Sequence, residues 1–153
     1  MFQKLIATNT DIVALILRLT LGGVMFAHGA QKVLGWFGGG GFKATLQGMA
    51  EMGLPAAIVI LVMIAEFLGS IGLIFGFLTR LSALGILGVM LGAIFMVHQQ
   101  HGFFMNWMGK QAGEGFEYHL LAIGIAVALL IRGGGAFSID RALREERRQF
   151  RIR

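Results

Sequence analysis

The chain has 153 residues, of which 56% are apolar and 14% charged; a soluble domain of this size carries about a quarter charged residues. A globule this small buries only about two-thirds of the surface its chain exposes, so the apolar excess faces lipid, as its long runs also indicate. There is no cysteine, which excludes disulfides, thiolate metal sites, iron–sulfur clusters and thiol redox catalysis. Formal charge is +5, yet seven of the thirteen Lys and Arg residues fall between Arg132 and Arg153. That basic tail directly follows an apolar span, which points to anionic lipid headgroups and away from nucleic acid.

The first predicted span covers residues 12–34, with the sequence IVALILRLTLGGVMFAHGAQKVL. Lys4, the apolar run and Ala27-His28-Gly29-Ala30 loosely fit a cleavable signal peptide, but Arg18 in the middle of the run predicts a retained span. A long connection opens with Trp36 and Phe37 and runs through Gly38, Gly39, Gly40 and Gly41 to Phe42. These glycines follow no strand, so they make no phosphate loop. The second span covers residues 56–78, after Pro55, whose missing N–H costs no helical hydrogen bond at that position. Gly76-Phe77-Leu78-Thr79-Arg80 leaves almost no loop before the third span, 81–97, and predicts a tight antiparallel hairpin. A second long connection contains Phe103-Phe104-Met105-Asn106-Trp107-Met108. The fourth span, 117–132, is short against the ~20 residues a bilayer asks for, with Arg132 snorkelling to the surface. Both tryptophans fall at span ends, as an aromatic belt requires, and both connections are expected to fold onto the membrane surface. Gly69 and Gly72 on the second span and Gly85, Gly88 and Gly92 on the third read as small residues for close helix packing.

The expected fold is all-α: an integral membrane bundle of four antiparallel transmembrane helices in a single domain, 1–153, with a basic tail from 133 to 153. Four spans put Lys4, Arg80 and the tail on one side and Lys32, Lys43 and Lys110 on the other. The positive-inside rule then makes both termini cytoplasmic and leaves the two long connections outside. The tail from Ser138 to Phe150 reads as an amphipathic helix on the inner leaflet, with Ser138 as N-cap and Ile139, Leu143 and Phe150 near one face. A plain topology signal accounts for its arginines equally well.

Ionisable groups inside a bilayer cost about 2.5–3.5 kcal/mol each at the helix centre, so those present here carry information. Arg18, Met25, His28 and Lys32 share an arc of roughly 80° on the first span. That stripe must face the bundle interior. Glu66, near the middle of the second span, is its natural partner. Glu66 is therefore ion-paired with Arg18 or with Lys32, or it is protonated. A structural ion pair that fixes helix register and a proton-handling site are both consistent with this pattern. A second polar group gathers at the outer face from Lys32, His28, His98, His101, Glu117 and His119. Its spacing matches no metal signature, and no metal is expected. A lipid-soluble quinone needs an apolar slot, a His or Lys beside a carbonyl and a carboxylate that exchanges a proton. Met25, His28, Lys32, Glu66, Glu117 and the loop aromatics are of the types required.

Three stretches resemble the DoxX family of bacterial four-helix membrane proteins. They are His28-Gly29-Ala30-Gln31-Lys32 with Gly35-Trp36-Phe37, Glu66-Phe67-Leu68-Gly69 leading to Gly76-Phe77-Leu78-Thr79-Arg80, and Gly133-Gly134-Gly135-Ala136-Phe137-Ser138-Ile139-Asp140. The resemblance covers about Ile12 to Leu143. It implies a bacterial inner (plasma) membrane location. It also implies a link to quinone chemistry, since the family takes its name from a quinone-linked oxidase system and the related DoxD proteins are subunits of a thiosulfate:quinone oxidoreductase. Other members serve as membrane anchors in oxidative-stress complexes. Carried onto this chain, the quinone link falls on Glu66, Lys32 and His28 as catalytic and cofactor-binding positions; Glu117 and His119 of the outer polar group are read, from the residues alone, as further cofactor-binding positions. The partners it implies are the bilayer and soluble or membrane redox proteins, with a homo-oligomer also open and nucleic acid excluded. A proton-coupled transporter and a non-catalytic anchor are the rival readings of the same charges. The transporter reading lacks broken helices at matching positions in two halves.

Overall fold

The computed structural model describes residues 2–150, with the side chains at positions 2, 4 and 147–150 left aside, so the parts of the Lys4 and Phe150 expectations that rest on side chains lie outside the described residues. In chain order the helices are α1 (Phe2–Leu5), α2 (Ile12–Leu34), α3 (Gly41–Glu51), α4 (Ala56–Phe75), α5 (Thr79–Ala93), α6 (Glu117–Arg132) and α7 (Ile139–Phe150). Beyond Ala93, α5 continues through a π-turn, Ile94–His98, and a 3₁₀ turn, Gln99–His101. The described residues are helices and connections, without strands. Three helical stretches among them are long and apolar enough to cross a membrane: Ile12–Leu34, Ala56–Phe75 and Thr79–His101. α6 has 16 residues.

α2 packs on α4, α4 on α5, α5 on α6 and α6 back on α2, closing a ring. The core of this ring mixes small residues, Ala14, Ala83, Ala122 and Ala126, with Leu21, Met25, Leu73, Ile86, Met90 and Leu129. Large aliphatic and aromatic side chains such as Leu61, Leu68, Phe95 and Leu121 are exposed. An outer surface this apolar suits a bundle that meets hydrocarbon.

Each helix end has a local cause. Asp11 caps α2, its Oδ1 accepting from the Val13 N–H at 2.9 Å, while Arg132 Nη1 lies 3.0 Å from its other oxygen. Arg132 therefore reaches a carboxylate as well as the surface. Gly35 ends α2 and Gly76 ends α4, both in the left-handed conformation that glycine adopts at least cost. The second span is accordingly shorter than predicted: α4 stops at Phe75, and Gly76 with Leu78, at φ +46°, makes the hairpin turn. α5 begins at Thr79 without a cap of its own. Asp140, from the start of α7, supplies one, accepting from the Leu78 and Thr79 N–H groups at 2.8 and 2.9 Å. A carboxylate on two orphan N–H groups contributes about 1–2 kcal/mol. Ser138 caps α7 as predicted, its Oγ accepting from the Arg141 N–H at 3.2 Å and donating to Gly135 O.

The first connection holds a helix, α3, that the glycine-rich sequence did not suggest. It packs on α2 and α4, and Thr45 Oγ1 donates to Lys32 O. The second connection is a hydrogen-bonded loop. Asn106 N–H donates to Glu114 Oε2, Gln111 N–H to Asn106 Oδ1, and Phe116 N–H to Gly102 O. Trp36 and Trp107 are both exposed; Trp36 directly follows the C-cap of α2 as expected, whereas Trp107 stands in the middle of the second connection and not at a helix end.

The candidate quinone site

Gly29 sets the site. A methyl group there would sit 2.6 Å from the backbone N and Cα of Phe67 and 2.8 Å from Glu66 C, so only glycine lets α2 lie this close to α4. One turn further along α2, Lys32 then reaches Glu66: Nζ donates to Oε2 at 2.5 Å. Glu66 is 4% exposed, and Lys32 is half-buried. This is a charge-assisted pair held in a largely apolar wall.

Of the two cations open to Glu66, Lys32 is thus the one beside it. Arg18, 1% exposed, directs all five of its N–H donors at backbone carbonyls. Nε donates to Gly134 O at 2.9 Å, Nη1 to Leu73 O at 3.2 Å and Ile74 O at 2.5 Å, and Nη2 to Ala136 O at 3.0 Å and Phe137 O at 2.7 Å. Those carbonyls belong to the last turn of α4 and to the link between α6 and α7. Arg18 is a clamp at the α7 end of the bundle, so the stripe it forms with His28 and Lys32 serves two separate sets of contacts.

Lys32 and Glu66 stand on the wall of a cavity of about 1300 Å³, lined mostly by α4 and α5. His28, Met25, Tyr118, His98 and His119 line the same space. Tyr118 donates from its hydroxyl to Met25 Sδ at 3.7 Å. His98 and His119 have ring centroids 4.1 Å apart, and His98 Nδ1 lies 2.8 Å from Glu114 O. The π-turn that carries His98 is the kind of helix irregularity often found at functional sites. His119 is 6% exposed, and its buried Nδ1 has no hydrogen-bond partner among the described residues. A buried polar atom without a partner costs about 1–3 kcal/mol unless a ligand or water meets it.

Of the residues singled out from sequence, His28, Lys32, Glu66 and His119 come together around the cavity. Glu117 stands apart, its Oε1 accepting from the Trp107 indole at 3.3 Å. Tyr118, the single tyrosine of the chain, was not singled out, although its place beside His119 on the fourth span was a signal.

The DoxX family model matches residues 13–99, which holds α2, α4, α5 and the whole Lys32–Glu66 pair. The chain belongs to the DoxX family. An inner membrane protein of Escherichia coli (strain K12), YqjF, is 32% identical over 136 residues, covering 89% of this chain and 95% of its own. A Bacillus subtilis (strain 168) protein, CatD, whose name marks it as a candidate oxidoreductase, is 29% identical over 119 residues, covering 78% of this chain and 79% of its own. No solved structure matches the chain. With its apolar helices, this DoxX protein is a membrane protein.

Proposed function

We propose that this DoxX protein is the quinone-binding membrane subunit of a redox system. The observation that carries the reading is the buried Lys32–Glu66 pair on the wall of a large apolar cavity. A lipid-soluble ring with polar oxygens fits such a site: an apolar body needs an apolar slot, and its carbonyls need donors. Lys32 Nζ would donate to one carbonyl, and the His119 imidazole on the same wall would offer a second polar contact. A bound quinone supplies two-electron chemistry and takes up two protons on reduction. The chain's own part is to bind the ring, exclude water and pass protons at the Glu66 carboxylate, with His28 beside it. Electrons come from a partner redox protein, because the chain has no thiol to carry them. CatD's name, though only a relative's, agrees with this class of chemistry.

In this reading α6 is a fourth span, extended back by Phe116 and ending on Arg132, and the chain is one membrane domain. The arginines support the orientation. Arg80 donates to Ala7 O and Ile131 O, Arg132 meets Asp11, and Arg144 donates to Thr8 O, so all three gather where α1 and α7 lie. That end is cytoplasmic by the positive-inside rule, in a bacterial inner membrane like that of YqjF.

Quinone titration of the purified protein tests the site. Glu66→Gln and His28→Ala are each expected to weaken binding by about tenfold, the loss of one good polar contact in an apolar site. Unchanged affinity in both variants sinks the proposal.

A further inference from the structure

The α4–α5 seam is tight at one end and open at the other. Near the hairpin, a methyl at Gly72 would lie 2.3 Å from Ser82 Oγ, and halfway along, one at Gly85 would lie 3.2 Å from Ala65 Cβ. At Gly88 and Gly92 a methyl would meet nothing within 4 Å. The expectation that all these glycines serve close packing therefore fails for the last two. They lie where α5 parts from α4, and both line the cavity. Across the gap are apolar residues of α4, among them Ile58, Leu61 and Val62. Leu61 and Gly88 are both exposed.

We infer that the parting of α4 and α5 beside Gly88 and Gly92 is a lateral portal, which admits a long-tailed quinone from the bilayer and holds its apolar tail. This rests on the quinone reading and adds to it the route and the tail. Three observations support it. The portal and the polar wall of Lys32, Glu66 and His119 belong to one continuous cavity, so a ring seated at the wall leaves its tail pointing along the seam. His119 lines that same cavity with its ring against His98, so the cavity has a polar end as well as an apolar body. From Gly88 to Met96 the open stretch of the α5 side runs ~12 Å at the helical rise, room for the first part of a tail beyond the ring. The two glycines leave room for that tail, and a side chain at either would fill it.

The test compares a decaprenyl benzoquinone with the same ring lacking its tail, on protein in nanodiscs. Wild type is expected to bind the tailed quinone more tightly by about tenfold or more, as a few buried methylenes provide. Gly88→Phe is expected to abolish that advantage and leave the tail-less ring bound as before. A second variant separates blocking from misfolding. The chain has no cysteine, so Gly88→Cys can be purified folded and then labelled at that position alone with a bulky maleimide. Its tailed-quinone affinity should fall on labelling. Equal binding of both quinones by wild type overturns the portal while keeping the ring site. So does a labelled portal that leaves tailed-quinone binding intact, or one that releases a co-purified phospholipid with quinone binding unchanged. If wild type binds neither quinone, the functional reading itself is overturned, and the portal with it.

Discussion

Arg18→Met is expected to destabilise the protein by at least about 4 kcal/mol, a large part of the 5–15 kcal/mol that holds a domain together. The arginine satisfies carbonyls of Leu73, Ile74, Gly134, Ala136 and Phe137 at once. Methionine fills much of the volume and satisfies none of them. Net hydrogen bonds to a charged group contribute about 1.5–3 kcal/mol each, and the five are coupled, so their sum overstates the loss. Arg18→Lys should recover little, because an ammonium is a point donor and cannot fan out over five acceptors on two segments. Denaturant titration in detergent micelles, followed by helical circular dichroism, reads the difference. Stability within about 1 kcal/mol of wild type for Arg18→Met would show that the clamp is incidental.

Lys32→Met should cost about 3–5 kcal/mol, because it leaves Glu66 buried without its cation. The double variant Lys32→Met with Glu66→Leu should recover most of that loss, since an apolar pair of similar volume is often as stable as a buried ion pair. Quinone binding should not recover with it. That split separates the two accounts of these charges. A pair that only fixes helix register would be replaceable without functional cost. A ligand site would not. The same titration, repeated with a quinone-binding measurement on the refolded double variant, shows which holds.

Much of this was legible from sequence, for reasons that differ element by element. The helix over 12–34 and the one over 117–132 follow from mainly apolar runs between an acidic start and a glycine stop. The second helix ended early because Gly76, read as part of a turn, is also the left-handed C-cap. α3 was hidden by the glycines that precede it and by Gly48 inside it, which weaken any helical pattern. Asp140 could not be read as a cap, since the N–H groups it serves lie more than 60 residues away in sequence.

The partner of Glu66 was the hardest point. Antiparallel neighbours keep a nearly constant register, and Gly29 against Phe67 fixes it here. Lys32 then falls within a side chain's reach of Glu66, while Arg18 falls beside Leu73 and Ile74. Fourteen residues separate Arg18 from Lys32 along α2, ~21 Å at the helical rise. The connection between α2 and α4 is too long to set that register from sequence. Gly29 carried the missing signal, but in a chain with 24 glycines it did not stand out. Gly88 and Gly92 misled for the same reason: a small residue marks either a close neighbour or an empty space, and only the fold says which.

The central claim is that the Lys32–Glu66 cavity holds a quinone. The most direct measurement is to purify the chain in mild detergent from its own membranes, extract the lipids and quantify quinone by mass spectrometry. Wild type should carry about one quinone per chain, and Lys32→Met with Glu66→Leu, although folded, should carry far less. A folded wild-type protein without quinone, and unable to take it up when supplied, would contradict the account and leave these charges as the fasteners of a membrane anchor.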